Sequence, residues 1–363
     1  MTPTLRALAW FWGGLAVVAI GTVVSLRSGG PALPSSKTVT TMAMSKKNPA
    51  SSSQVQPAPV PRAPPVPAAT TAMPASLPIP GTASRHIAIM APDGALEEPA
   101  PDYVGSMLPR VGADGRTPMR AYAAAAAPDD HRPRIAVLLT GIGLSASEDE
   151  AAVDTLPAAV SFAVSPYAYR PDTILQKMRN LGHESFLSLP MEPQSFPIDD
   201  PGPEALLTGN IDGVNQQRLE WAMSRIAGYV GVTSVMGTLH GERFAASPTQ
   251  MAPVLRELGS RGLMYIDGRP GALRAPGAVG RSVDVVIDTP AQDTQTDAKL
   301  AQLEAMARDH GLSVGVAGPP HPVMVARLAS WAATLATRGF NLVPVSAIVS
   351  IEPPVTEAAT VKP

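Results

Sequence analysis

A chain of 363 residues with 40 prolines, no cysteine and a formal net charge of −2 excludes several classes of protein at once. Without cysteine there is no disulfide, no thiolate zinc site and no cysteine nucleophile. A nearly balanced charge without a basic run gives no electrostatic reason for a nucleic-acid partner, and the uneven spread of proline favours one globular domain over the two that length alone allows.

Ala7 to Leu26 is uncharged and rich in Ala, Val, Leu and Trp, and about twenty apolar helical residues cross a bilayer core of roughly 30 Å. Residues 1–27 therefore read as an uncleaved single-pass transmembrane anchor. A cleaved signal peptide competes, but the apolar run is long for one and no small-x-small cleavage pattern follows. Arg6 and Arg27 flank the run almost symmetrically, so charge leaves its orientation open. Residues 28–130 are rich in Pro, Ala, Ser and Thr, as in Pro57-Ala-Pro-Val-Pro61, with no aromatic residue before Tyr103. Such a composition buries too little apolar surface to offset the ordering of its backbone. It is expected to be a disordered tether, with a Pro-rich docking ligand as the alternative.

From His131 the pattern changes, and residues 131–351 are expected to form the folded domain, followed by a disordered tail over 352–363. Strands are predicted over Ile135 to Thr140, Ala159 to Val164, Ser185 to Leu189, Gly231 to Met236, Leu263 to Asp267, Val283 to Ile287, Ser313 to Ala317 and Asn341 to Val345. Helices are predicted over Asp172 to Leu181, Val214 to Ala227, Pro248 to Arg261, Asp293 to His310 and Pro322 to Arg338. Gly182, Gly262, Gly311 and Gly339 stand at their C-terminal stops. Alternation of this kind implies an α/β fold with parallel strands, either a (β/α) barrel, complete or not, or a doubly wound sheet. In both, ligands meet the chain at the C-terminal ends of the strands.

Leu187-Ser-Leu-Pro-Met-Glu192, Gly231-Val-Thr-Ser-Val-Met-Gly237, Tyr265-Ile-Asp-Gly-Arg269, Gly315-Val-Ala-Gly-Pro-Pro-His-Pro322 and Val343-Pro-Val-Ser346 lie at those ends. In order and spacing they resemble the divergent polysaccharide deacetylase family, over residues 134–350. The resemblance implies a distorted (β/α) barrel of the polysaccharide deacetylase type, export to the bacterial envelope and a divalent-metal site that hydrolyses N-acetyl or O-acetyl groups on sugar polymers. Export in turn implies an inner-membrane, single-pass protein with its C-terminal domain in the periplasm. The ligand pattern does not carry over. Where the family has Asp-Asp this chain has Thr140-Gly141, and where the family has the His of His-Leu-Pro-Met-Glu it has Ser188. Asn-Asn-His is replaced by Thr233-Ser234-Val235, and the His of Gly-His-Pro by Pro319.

Metal-assisted deacetylation needs imidazoles and carboxylates around an ion that polarises the acyl carbonyl, with a carboxylate to take the proton. Gly, Val and Pro supply no donor, and hydroxyls are poor substitutes. No metal and no cofactor are therefore expected at the inherited site. Asp267, Glu192 and Asp288 remain as candidate catalytic acids, and Arg269, His240, His321, Tyr167 and Tyr169 as candidate ligand-binding groups. Each has a plain structural reading as well: an Asp267–Arg269 ion pair, a loop His240, a capping His321. The expected function is a catalytically degenerate domain that binds envelope glycan or a periplasmic protein. One alternative is an active Zn²⁺ deacetylase using His240, His321, Asp267 and Asp288, and another is an envelope scaffold that binds no glycan.

Overall fold

A computed structural model describes residues 87–126, 131–211, 213–274, 276–287 and 293–349. The expected membrane anchor, the first part of the tether, Asp288 and the C-terminal tail lie outside these residues. Among the described residues no helix is long and apolar enough to cross a membrane.

The segment 87–126, expected to belong to a disordered tether, is folded. Glu97–Pro99 (β1) and Met107–Pro109 (β2) form an antiparallel pair, and Pro118–Ala121 makes one helical turn (α1). Leu96 and Leu108 are fully buried and Tyr122 nearly so. The Tyr122 hydroxyl accepts the N–H of Asp93 at 2.9 Å, and Arg261 reaches Glu98 at 2.7 Å and the carbonyl of Pro109 at 2.8 Å. Three well-spaced apolar anchors suffice to hold this stretch. They are too sparse to give a period among its prolines and alanines, and composition alone therefore misplaced the domain boundary.

Beyond it come Arg134–Ile142 (β3), Ala146–Thr155 (α2), Ser161–Val164 (β4), Asp172–Asn180 (α3), Ser185–Ser188 (β5), Val214–Met223 (α4), Gly231–Thr233 (β6), Glu242–Ala245 (α5), Pro248–Ser260 (α6), Met264–Asp267 (β7), Val279–Ser282 (β8), Val285–Val286 (β9), Asp293–His310 (α7), Leu312–Ala317 (β10), Pro322–Leu335 (α8), Asn341–Leu342 (β11) and Val345–Val349 (α9). All pairings in the main sheet are parallel, in the order β8-β7-β6-β5-β4-β3-β10-β9, with β11 added to the start of β3. The glycines expected to stop helices, Gly182, Gly262, Gly311 and Gly339, all have positive φ.

The edges of this sheet are consecutive in the chain. Val283 N–H donates to Asp267 of β7 at 2.9 Å, and Asp284 N–H donates to Val314 of β10 at 2.8 Å. Only Val283 and Asp284 separate β8 from β9, and a linker that short holds two strand ends within roughly 11 Å. The sheet must therefore curl until its first and last strands meet, and one kinked run serves both edges. An Arg281–Asp284 ion pair at 2.9 Å sits on the kink.

Strands buried on both sides read as continuous apolar runs, and β3 is of this kind. Ala136 and Leu138 face inward with Phe186, Met264, Ile266, Val314 and Val316, while Ile135, Val137 and Leu139 face the helices with Phe162, Leu187 and Val232. The expected strand Asn341 to Val345 stops after Leu342. Pro344 has no N–H to continue a ladder, and the chain turns into α9, whose Val345, Ile348 and Val349 join the inward cluster.

Candidate functional site

The C-terminal ends of β3, β5, β6, β7 and β10 converge at one end of the curled sheet, and backbone and small side chains fill the space between them. The Thr140 hydroxyl lies 3.2 Å from the carbonyls of both Gly237 and Ala317, to which it donates. Gly141, buried and with φ +86°, leaves little room for a side chain: a Cβ there would lie 3.1 Å from the Cβ of Pro319 and 3.4 Å from the Cα of Gly237, closer than ordinary contact. Thr233 donates to the carbonyl of Ile266 at 2.9 Å, Ser234 accepts the N–H of Gly268 at 3.0 Å, and Val235 is buried. The Ser188 hydroxyl is buried without a hydrogen-bond partner.

The surviving carboxylates at this end are engaged by the protein. Asp267 accepts three hydrogen bonds from Arg269, from the backbone N–H at 3.0 Å, Nε at 3.0 Å and Nη2 at 2.6 Å. That pairing raises the pKa of the guanidinium. Glu192 accepts the backbone N–H and hydroxyl of Thr208 at 2.5 and 2.6 Å and Nη1 of Arg243 at 3.0 Å. Burial pushes the Glu192 carboxyl upward, but the bonds from Thr208 and Arg243 outweigh it and hold the group below its ordinary range. Such an anion is a poor proton acceptor at neutral pH. Its role here is to tie the loop after β5 to α5.

His240 is half-buried in the loop after β6, and His321 is the N-cap residue of α8, with Nδ1 3.2 Å from Glu148. Among the described residues no three of His, Asp and Glu gather in reach of one ion. Tyr167, expected to face a ligand, is half-buried and held by the protein. Its ring packs on Trp221 at 5.2 Å between centroids, its hydroxyl accepts the N–H of Glu204 at 3.1 Å, and Gly202 presses against it. It pins a loop. Tyr169 is 84% exposed, with the Arg170 guanidinium 5.3 Å from its ring centre.

Asp149, unmarked in the sequence among Glu148 and Glu150, is the unusual acid of this face. It lies in the first turn of α2 and is only 3% exposed. Oδ2 accepts the N–H of Gly143 at 2.9 Å, and Oδ1 has no partner. Burial, against the opposing bond from Gly143 and with help from Glu148 and Glu150, pushes its carboxyl up from 3.8 to about 6. A carboxyl whose folded pKa is raised holds its proton longer in the folded state, so its stabilising effect is complete below about pH 4 and is lost as pH rises through about 6. Asp149→Asn removes that titration and keeps the bond from Gly143. Its stability advantage over the native chain is expected to be near zero at pH 4 and to grow to roughly 2–3 kcal/mol by pH 7. Thermal melts of both proteins across that range check this; parallel curves would show that Asp149 is solvated.

A family model described as divergent polysaccharide deacetylase matches residues 137–349, more than half of the chain. The crystal structure of an uncharacterized protein from Agrobacterium tumefaciens is similar, with 32% identity and a TM-score of 0.62, covering 67% of this chain and 99% of that one. An uncharacterized protein of Haemophilus influenzae is 24% identical over 203 residues, 54% of this chain and 69% of its own length. The catalytic domain of a peptidoglycan N-acetylglucosamine deacetylase from Eubacterium rectale is more distant, with 14% identity and a TM-score of 0.38 over 61% of this chain and 93% of that one.

Proposed function

The chain belongs to the divergent polysaccharide deacetylase family, and from that premise we propose that it is a membrane-anchored, periplasmic glycan-binding protein whose hydrolytic centre has been dismantled. The observation that carries this reading is the closure at Gly141, whose missing side chain is walled off by Pro319 and Gly237. A divalent ion does not fit the residues present. The positions that resemble the family's donor set hold Thr140, Gly141, Ser188, Val235 and Pro319, and two of the remaining acids, Asp267 and Glu192, are neutralised by Arg269 and Arg243.

Binding needs only the scaffold. A curled parallel sheet presents its strand-end loops as one face, and such loops hold ligands without needing an ion at their centre. The family's substrate class makes an acetylated envelope glycan the ligand of choice. The apolar run over Ala7 to Leu26 supports a membrane anchor, and the export that the family resemblance implies is what favours a periplasmic domain.

The test uses the purified full-length chain. Zinc content well below one ion per chain, no chelator-sensitive acetate release from acetylated peptidoglycan fragments, and measurable binding of those fragments are expected. Stoichiometric zinc together with chelator-sensitive acetate release would overturn the proposal in favour of an active deacetylase. Absence of glycan binding would overturn it in favour of a scaffold or a protein-binding role.

A further inference from the structure

Away from the strand-end face, a groove of about 610 Å³ runs between α7 and α8. Both helices lead back to the starts of strands, β10 and β11, so they lie side by side in the same direction. Leu300 and Trp331, 2% and 9% exposed, form the floor, and Ala301, Ala326 and Ser330 stand exposed on the flanks. The indole N–H of Trp331 donates to Glu304 at 2.7 Å and fixes the floor in place. Two ion pairs cross from helix to helix: Arg327 reaches Asp297 at 2.5 Å towards the mouth, and Arg338 reaches Glu304 at 2.9 Å towards the other end. The result is an apolar trough with a charged pair at each end.

A helix that packs on a sheet and meets only water on its other side usually carries charge there. α8 does not. From Pro322 to Leu335 its one charged residue is Arg327, and its outer side presents Val323, 61% exposed, with Ala326, Ser330 and Ala333. The charges that line the groove are also sorted by helix. α7 contributes only acids, Asp297 and Glu304, while α8 and the turn after it contribute only bases, Arg327 and Arg338. A surface divided in this way is complementary to itself. A two-fold axis along the groove carries the α7 of each copy over the α8 of the other without reversing its direction. Arg327 and Arg338 then meet Asp297 and Glu304 of the second copy at the same heights as within one chain. Each guanidinium comes to lie between two carboxylates, and the exposed Ala and Ser side chains let the backbones approach.

We propose that the α7–α8 face is an interface occupied by a second copy of this chain, in a parallel and isologous arrangement. It is independent of what the mouth of the sheet binds. Area sets its strength: two helices about 21 Å long and about 10 Å wide offer roughly 400 Å² per copy, about 800 Å² in all, the low end for a specific contact. Dilute chains therefore pair weakly, and chains confined to one surface pair firmly, because confinement raises their effective concentration. The parallel arrangement leaves the two mouths side by side and facing the same way, as two chains anchored in one membrane require.

The chain has no cysteine, so a single introduced thiol can be cross-linked only between copies. With the purified full-length chain in phosphatidylethanolamine and phosphatidylglycerol vesicles, Ser330→Cys is expected to give a covalent dimer with a short bismaleimide. Gln176→Cys, exposed on α3, is expected to give little. A second change at exposed Ala326 tests the sorted charges. Ala326→Glu sets an acid against the acids of the second copy's α7 and is expected to cut the cross-linked fraction about fivefold or more. Ala326→Lys sets a base there and is expected to leave the fraction intact. Equal melting temperatures of the two variants exclude unfolding as the source of the difference. If Ser330→Cys cross-links no more than Gln176→Cys does, or if Glu and Lys at position 326 act alike, the interface is wrong. A chain that does not float with the vesicles is cross-linked in concentrated solution instead, so a failed anchor and a failed dimer are told apart.

Discussion

Glu184→Ala is expected to lower the stability of the domain by about 3–5 kcal/mol. Glu184 is fully buried at the N-terminal end of β5, opposite the candidate site. Oε1 accepts from the Ser161 hydroxyl at 2.7 Å and the Ser346 N–H at 3.0 Å; Oε2 accepts from the Ser346 hydroxyl at 2.5 Å and the Ala124 N–H at 3.2 Å. Ser161 in turn accepts the N–H of Val345 at 3.1 Å. One carboxylate thereby holds the segment after α1, the starts of β4 and β5, and α9. Burying the charge is unfavourable by itself, and what offsets it is the full set of four donors. Truncation to Ala removes the acceptor and strands those donors in an apolar interior, each with a desolvation penalty of about 1–3 kcal/mol before relaxation. Glu184→Gln keeps the shape but places an NH2 group opposite donors, and a smaller loss of about 1–3 kcal/mol is expected. Chemical denaturation of both variants measures this. Native-like stability of Glu184→Ala would mean that the lower end of the sheet is held by apolar packing alone. Glycan affinity of the folded fraction should be unchanged in either variant, because the group is at the far end from the mouth.

The two ends of the sheet were unequally legible in the sequence. Strands β3, β4, β5, β6, β7 and β10 stand out because burial on both faces favours apolar and small residues in each, most plainly in Ile135-Ala-Val-Leu-Leu139, and the glycine after each of four helices marks the return to the sheet. At the seam, β9 lies within the expected strand Val283 to Ile287, whereas β8 does not stand out. Gly280, Arg281 and Ser282 make β8 polar, and its strand character comes from its pairing with β7 and not from its own composition. At the candidate site the departures from the family's motif are visible residue by residue, since a Gly or a Pro cannot ligate wherever it is placed. The partners of the surviving acids are a different matter. Arg269 lies two residues from Asp267 and can be paired with it on paper, but Arg243 lies far along the chain from Glu192 and reaches it only because α5 packs beside the loop after β5. Asp149 was hidden for the same reason. Three consecutive acids in the first turn of a helix read as a solvated, dipole-compensating cluster, and only the turn at Gly143 folding over the middle one sets it apart.

Gly141→Asp, which restores a carboxylate where the family has one, is expected to destabilise the chain by about 3–5 kcal/mol and to gain nothing from zinc. Two costs combine. Gly141 has φ +86°, a backbone that an L side chain adopts with difficulty, and its Cβ would stand 3.1 Å from the Cβ of Pro319, 3.2 Å from the Cα of Pro319 and 3.4 Å from the Cα of Gly237. The new carboxylate would also be buried among backbone and proline, beside a Thr140 hydroxyl whose single proton is already shared between the carbonyls of Gly237 and Ala317. Gly141→Ala separates the two costs, since it adds the crowding and the backbone strain without the charge, and a loss of about 1–3 kcal/mol is expected for it. An ion that bound the restored site would add stability by mass action, about 2.7 kcal/mol at a hundred times its dissociation constant, and would visibly raise the melting temperature of the Asp variant. No such rise is expected. One carboxylate beside a hydroxyl that is already bonded, with Ser188, Val235 and Pro319 at the other positions, does not make a set of donors for a divalent cation. A Gly141→Asp protein that melts close to the native chain and is further stabilised by zinc would show instead that the mouth of the sheet opens easily and that a single substitution separates it from metal chemistry.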